Sequence, residues 1–181
     1  MSSIMAFAGS NSYTSINFAL VKYTVSLLKD QEVQLMNMAL YDLAMFSEDH
    51  EKEFGYTNSL IELRDDLHNA EGLILSVNEH NGNPSAYFKN LIDWLSRLER
   101  KFLLNTKILL MSTSPGKRGA MSSLVLVEDL LPRFGGEVTA TFSLPSFGEN
   151  FEIKKGITNP ELKEAHAKAV EIWLQSLSGK Q

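Results

Sequence analysis

The run Gly9-Ser10-Asn11-Ser12-Tyr13-Thr14-Ser15-Ile16-Asn17 is crowded with hydroxyls and amides. It follows a short apolar run, Ile4–Ala8, and opens a segment whose apolar residues repeat at helical spacing. A turn of this kind at a helix start offers unpaired backbone N–H groups, the positive end of the helix dipole and several side-chain donors, a setting suited to a dianionic phosphate. No Gly-Lys-Ser/Thr follows, so this is not a Walker loop, and the three spaced glycines of a dinucleotide fingerprint are missing. The same residues would equally serve an ordinary helix cap by Ser12 or Thr14.

Two further stretches carry polar chemistry. In Asn78-Glu79-His80-Asn81-Gly82-Asn83-Pro84-Ser85, the Asn81-Gly82 pair signals a tight turn and lets backbone approach a ligand closely. Its polar groups suit the edge of a planar heterocycle, or simply a surface turn. In Ser112-Thr113-Ser114-Pro115-Gly116-Lys117-Arg118-Gly119, Lys117 and Arg118 form a small positive cluster, fit to meet an anion or to stand in solvent.

The elements that must position these loops follow from periodicity. Strand-length apolar runs lie at Ile4–Ala8, Val33–Met38, Leu73–Val77, Ile108–Met111 and Val138–Phe142. The fourth is apolar throughout and the third in all but Ser76, as strands buried on both faces should be. Between and after them run helical stripes: Ile16, Ala19, Leu20, Tyr23 and Leu27; Leu60, Leu63, Leu67 and Ala70; Tyr87, Leu91, Trp94, Leu95 and Leu98; Leu124, Val127, Leu131 and Phe134; and Leu162, Ala165, Ala169, Ile172 and Trp173. Gly135-Gly136 should stop the fourth helix, and Pro132 should distort its final turn. This alternation predicts an α/β chain with a parallel, doubly wound sheet and right-handed crossovers. In such sheets ligands bind beyond the carboxyl ends of the strands where strand order reverses. That rule selects the loops after strands one, three and four, the three polar stretches above. Tyr41–Ser59 and Pro145–Pro160 read as long loops, candidates for a lid, a subunit contact or plain surface.

The composition bounds the partners. The chain has 181 residues, 44% hydrophobic and 22% charged, which predicts one globular domain over 1–181. With no cysteine there is no thiolate catalysis and no thiolate metal site. A formal net charge of −5 argues against nucleic acid as the main partner. No apolar run approaches the ~20 residues that span a bilayer, and the N-terminus lacks a basic signal region, so no membrane association and a cytoplasmic location are expected.

Taken together and in order, the three loops resemble those of the NAD(P)H-dependent FMN reductase family of flavodoxin-like proteins, which includes quinone, azo-dye and chromate reductases. That family's first motif runs Gly-Ser-x-Arg-x-x-Ser-x-Asn, matched by Gly9, Ser10, Ser15 and Asn17. Its second, Pro-Glu-Tyr-Asn-Gly, precedes a helix with Leu-Lys-Asn-x-Ile-Asp-Trp. Glu79, Asn81 and Gly82 match, and Phe88-Lys89-Asn90-Leu91-Ile92-Asp93-Trp94-Leu95 follows. Its third resembles Ser-x-Ser-Pro-Gly, present as Ser112-Thr113-Ser114-Pro115-Gly116. The likeness runs to about Phe142 and weakens beyond it.

The resemblance implies a flavodoxin-like three-layer sandwich, its five-stranded parallel sheet in the order 2-1-3-4-5 with helices on both faces. By the same resemblance Ser10, Ser12, Ser15, Ile16 and Asn17 hold the FMN phosphate. Asn78, Glu79, His80, Asn81 and Gly82 line the isoalloxazine ring, and Ser114, Gly116, Lys117, Arg118 and Gly119 close its other edge. Lys89-Asn90 and Asp93-Trp94 serve structure and a subunit contact. A homodimer or homotetramer is expected, with Phe46, Phe54, Tyr56 and Trp94 as exposed aromatics suited to its interface, Trp94 equally reading as plain core. Where the family has arginine, proline and tyrosine, this chain has Ser12, Asn78 and His80. Losing an arginine at a phosphate removes a charge-assisted bond of roughly 1.5–3 kcal/mol, one to two decades of affinity. Lys117 or Arg118 compensates only if the third loop folds towards the phosphate.

The implied activity is transfer of hydride from NAD(P)H to the flavin N5 and on to a small-molecule electron acceptor such as a quinone, azo dye or free flavin. It calls for no catalytic side chain and no metal. Two alternatives stay open: a non-enzymatic electron carrier or redox-responsive module, and a relative with weakened FMN binding that takes another phosphorylated molecule. A phospho-accepting receiver is disfavoured, since no aspartate ends the third strand.

Overall fold

Strands form where the apolar runs lie, and their alternating side chains feed two separate cores. The computed structural model describes residues 4–178. Its sheet comprises β1 (Ile4–Ala8), β2 (Val33–Met36), β3 (Gly72–Val77), β4 (Lys107–Thr113) and β5 (Glu137–Leu144), all parallel, in the order β2-β1-β3-β4-β5. Met5, Phe7, Leu73, Leu75, Ile108 and Leu110 face one core. The residues between them, Ile4, Ala6, Ile74, Leu109 and Met111, face the other.

The first core is covered by α3 (Asn58–Asn69), α4 (Ala86–Leu98) and α5 (Met121–Leu130), through Leu60, Leu63, Leu67, Phe88, Leu91, Leu95, Leu124 and Val127. The second is covered by α1 (Ile16–Ser26) and α7 (Pro160–Ser178), through Leu20, Val21, Ala169, Val170 and Trp173. Helices thus lie on both faces, and the three-layer α/β sandwich is the expected one. No helix among the described residues is long and apolar enough to cross a membrane.

Some local expectations need correction. The second strand stops at Met36, because Asn37 caps a short 3-10 turn, Met38–Leu40, whose end is held by the Tyr87 hydroxyl donating to the Met38 and Tyr41 carbonyls. The stretch from Tyr41 to Ser59 contains a helix, α2 (Glu48–Phe54), capped by Ser47 and ended at Gly55. The stretch from Pro145 to Pro160 is also structured. It holds a short turn of helix, α6 (Phe147–Asn150), and a two-strand antiparallel ribbon of β6 (Phe151–Glu152) and β7 (Gly156–Ile157). The fourth helix behaves as Pro132 and Gly135 predict: α5 tightens into a 3-10 turn over Leu131–Phe134 and stops at Gly135 in the left-handed region.

Candidate functional site

From β1 the chain crosses by α1 to the edge strand β2, then returns past β1 to β3, so the order reverses between β1 and β3. The parallel register brings Ala8 beside Ser76 and Val77 beside Ser112, and the loops after β1, β3 and β4 leave the same edge of the sheet side by side. Each pair of these loops is joined by hydrogen bonds.

The first and second loops meet at Gly9. Its N–H donates to the Ser76 carbonyl at 2.9 Å and its carbonyl accepts from the Ser85 hydroxyl at 2.8 Å. Ser85 also caps α4 by accepting from the Phe88 N–H. A Cβ on residue 9 would lie 2.6 Å from the Phe88 ring, so only glycine lets the loop pass this close to α4.

Asn17 ties the first loop to the third. Its Nδ2 donates to the Thr113 carbonyl, and its Oδ1 accepts from the Thr113 N–H and from the Ser76 hydroxyl, at 3.1, 3.1 and 2.7 Å. The second and third loops meet at the start of α5. Ala120, its cap residue, has no side chain to satisfy the helix N–H groups. Glu79 does this instead, accepting from the Ser123 N–H at 3.1 Å, while the Ser123 hydroxyl donates to the Asn78 carbonyl. A carboxylate at this end of a helix is also favoured by its dipole.

These contacts sort the sequence-derived residues. Ser15, not Ser12 or Thr14, caps α1, accepting from the Phe18 N–H at 3.2 Å. Ser12 and Thr14 instead bond to one another in an exposed turn, and Ser10 beneath them is 7% exposed and accepts from the Ser12 N–H. The Ser15 cap leaves the first two amides of α1, those of Ile16 and Asn17, without an intrahelical acceptor. Asn17 is 2% exposed and its side chain is committed to the sheet, so only its N–H is left without a partner in the helix.

In the second loop, Asn81 and Gly82 both take positive φ, 54° and 73°, and His80 and Asn83 exchange backbone hydrogen bonds across them. His80 stands exposed, 3.2 Å from the Asn78 amide nitrogen. The Asn78 Oδ1 atom is buried with no partner among the described residues, a free acceptor at the junction.

In the third loop, Ser114 and Gly116 give their carbonyls to the Phe147 and Ser146 N–H groups. Gly119 has φ 58°, and a Cβ there would fall 2.3 Å from the Ser143 hydroxyl, so this glycine locks the loop onto β5. Lys117 is exposed. Arg118 donates to the Ser122 hydroxyl and so leans along α5, and no hydrogen bond or ion pair among the described residues joins either cation to the first loop.

Sequence reasoning missed Ser76, Ser85, Thr113 and Ser123 as fasteners of the site. Ser85 was detectable as a cap before an amphipathic helix, and Ser76 as a hydroxyl inside an otherwise apolar strand. The interface aromatics also need revision: Trp94 is buried and donates to the Ala44 carbonyl, Phe46 and Tyr56 are half-buried, and only Phe54 is largely exposed. Asn90 is buried too, bridging the Ala44 carbonyl and the Phe46 N–H within the chain.

With this geometry in place, likeness to known proteins adds identity. The sequence profile of the NADPH-dependent FMN reductase family matches residues 2–147. An uncharacterized protein of Mycoplasma pneumoniae, the MG342 homolog, is 27% identical over 154 residues, covering 82% of this chain and 90% of that protein. The quinone reductase of Escherichia coli K12 is 28% identical over 81 residues, 45% of this chain and 43% of the enzyme. Among solved structures, the flavoenzyme NAD(P)H:(acceptor) oxidoreductase FerB from Paracoccus denitrificans superposes with a TM-score of 0.79 at 19% identity, covering 98% of both chains. The apo form of the NADH:FMN oxidoreductase EMOB gives 0.75 at 18% identity, covering 99% of this chain and 92% of that one.

Proposed function

Because the chain belongs to the NADPH-dependent FMN reductase family, we propose that it is an NAD(P)H-dependent, FMN-containing reductase of a small acceptor such as a quinone, azo dye or free flavin. The observation that carries this reading is the three-loop junction at the switch point, with two α1 amides and one buried amide oxygen left open.

The residues present fit FMN. The Ile16 and Asn17 amides, with the hydroxyls of Ser10, Ser12 and Ser15, hold the phosphate at the positive end of α1. Ser15 already accepts from Phe18 but keeps its own hydroxyl proton to donate. The Asn78 oxygen is an acceptor of the kind a heterocyclic N–H satisfies, and the His80–Gly82 turn presents backbone and imidazole to the ring. Glu79 acts behind them, fixing the turn against α5. Ser114, Gly116 and Lys117 border the other side, with Gly119 fixing their backbone. Arg118 is assigned to α5 rather than to the phosphate.

When bound, FMN supplies the two-electron chemistry between NAD(P)H and the acceptor. The chain's own part is to position and to leave one side of the site accessible, and no side-chain nucleophile is required. We further propose a homodimer or homotetramer, checked by light scattering on the purified protein. The test of function is a visible spectrum followed by stopped-flow mixing with NADH and NADPH. Yellow protein bleached by either nicotinamide and reoxidised by a quinone is expected. Protein that ignores added FMN overturns the proposal, and bound flavin that neither nicotinamide bleaches makes the chain an electron carrier instead.

A further inference from the structure

Away from the loop junction, α2 and the residues before it close over α4 and leave a cavity of about 120 Å³. Four of its walls are aromatic: His50, Phe54, Tyr56 and Trp94. Two of the ring contacts are near perpendicular and one is tilted. Trp94 meets His50 at 5.8 Å and 77° and Tyr56 at 6.0 Å and 79°, while Phe54 lies 4.6 Å from His50 at 41°. None of these pairs is a parallel stack, and all four rings border the cavity.

Two features give the cavity a sign. Two of its rings have their polar hydrogens committed: the Trp94 Nε1–H donates to the Ala44 carbonyl at 2.8 Å, and the Tyr56 hydroxyl donates to the Glu51 carboxylate. Donation to a carboxylate enriches the phenol ring in electron density and so strengthens its negative face. The helix that borders the cavity, α2, carries Glu48, Asp49, Glu51 and Glu53 against Lys52 alone. The nearby Arg97 guanidinium is paired with Glu51 at 2.7 Å and lies over the Phe46 ring, outside the cavity lining.

We propose that this cavity binds a small organic cation, a methylated ammonium group of the size of choline's head. Aromatic faces attract such a cation through their quadrupoles, and its methyl groups tolerate an apolar lining that a bare metal ion would not. Four partly desolvated rings give a dissociation constant on the order of 1–10 mM.

The test uses isotope-labelled full-length protein, as purified, at about pH 8, titrated with choline chloride against sodium chloride to hold ionic strength constant. The two tryptophans provide probe and control, since the Trp173 indole is fully buried in the opposite core and donates to the Lys107 carbonyl. The Trp94 indole N–H resonance should move and saturate while that of Trp173 stays in place. Dimethylbutanol, the uncharged carbon isostere of choline, should bind at least about fivefold more weakly. Phe54 is 65% exposed at the rim, so Phe54→Ala spares the core and should weaken choline about two- to fivefold. Equal binding of the uncharged isostere, a linear shift without saturation, or Phe54→Ala binding choline as tightly as the parent overturns the proposal.

Discussion

Replacing Asn17 with alanine separates two roles that this residue can play, as a ligand of the phosphate or as a clamp of the sheet. In the structure its side chain makes three hydrogen bonds, one given to the Thr113 carbonyl and two accepted from the Thr113 N–H and the Ser76 hydroxyl. All sit in buried surroundings, so alanine leaves two donors and one acceptor with no partner. Each such bond contributes about 1 kcal/mol net, and an abandoned buried partner costs about 1–3 kcal/mol. A loss of about 3 kcal/mol is therefore expected, which for a chain of this length lowers the melting temperature by about 6–12 °C. Urea unfolding of the apo protein reads the stability, and fluorescence titration at low temperature reads FMN affinity on whatever remains folded. A fall in stability with a modest fall in affinity, caused by a loosened first loop, fits the clamp. If apo stability moves by less than about 1 kcal/mol while FMN binding collapses, the side chain is a ligand and the reasoning is wrong.

Three other perturbations follow from the same geometry. Gly119→Ala places a Cβ 2.3 Å from the Ser143 hydroxyl and 3.0 Å from the Leu144 backbone carbon, at φ 58°; a loss of about 2–4 kcal/mol in urea unfolding is expected, and a neutral result would contradict the locked loop. Ser12→Arg restores a cation where the exposed turn has none, and should tighten FMN about ten- to a hundredfold by titration; unchanged affinity would remove the phosphate from this loop. His166 is 1% exposed, with Nδ1 unpartnered and Nε2 at 2.9 Å from the Thr24 hydroxyl, and burial lowers its pKa to about 4. The unfolded chain then binds the extra proton first, so this residue's contribution is intact above about pH 6.5 and is lost as pH falls towards 4. About 2–3 kcal/mol should disappear between pH 7.5 and 4.5 in the parent but not in His166→Leu, as read from paired urea midpoints.

The sheet was legible because β1, β3 and β4 are buried on both faces and so are built around apolar runs, broken in β3 only by Ser76. The C-terminal end of β4 was not, since Ser112 and Thr113 are polar and join the strand by pairing with Val77, Ser143 and Leu144, partners distant in sequence. Helix α2 buries none of its residues, which leaves no apolar stripe to detect, although Ser47 ahead of Glu48 and Asp49 was an available capping signal. In the site, a hydroxyl-rich turn at a helix start identifies itself. Which of its polar groups face a ligand does not, because Asn17 and Ser85 spend their side chains on residues 59 to 96 positions away. Local sequence reports the supply of donors; only the fold decides which of them the protein keeps for itself.

That division has a consequence for how the phosphate would be held. The side chains that fasten the junction, Asn17, Glu79, Ser85 and Ser123, fix three loops against one sheet edge before any ligand arrives. What remains open is mostly backbone and hydroxyl: the Ile16 and Asn17 amides and the serines before them. With Ser12 in place of arginine and Arg118 turned along α5, the proposed phosphate grip would rest chiefly on oriented dipoles. Dipoles held by a rigid frame lose little entropy on binding and are screened less by salt than a charge pair at the surface. In an acidic chain of net charge −5, such a site would admit a dianion through the amides of a helix start.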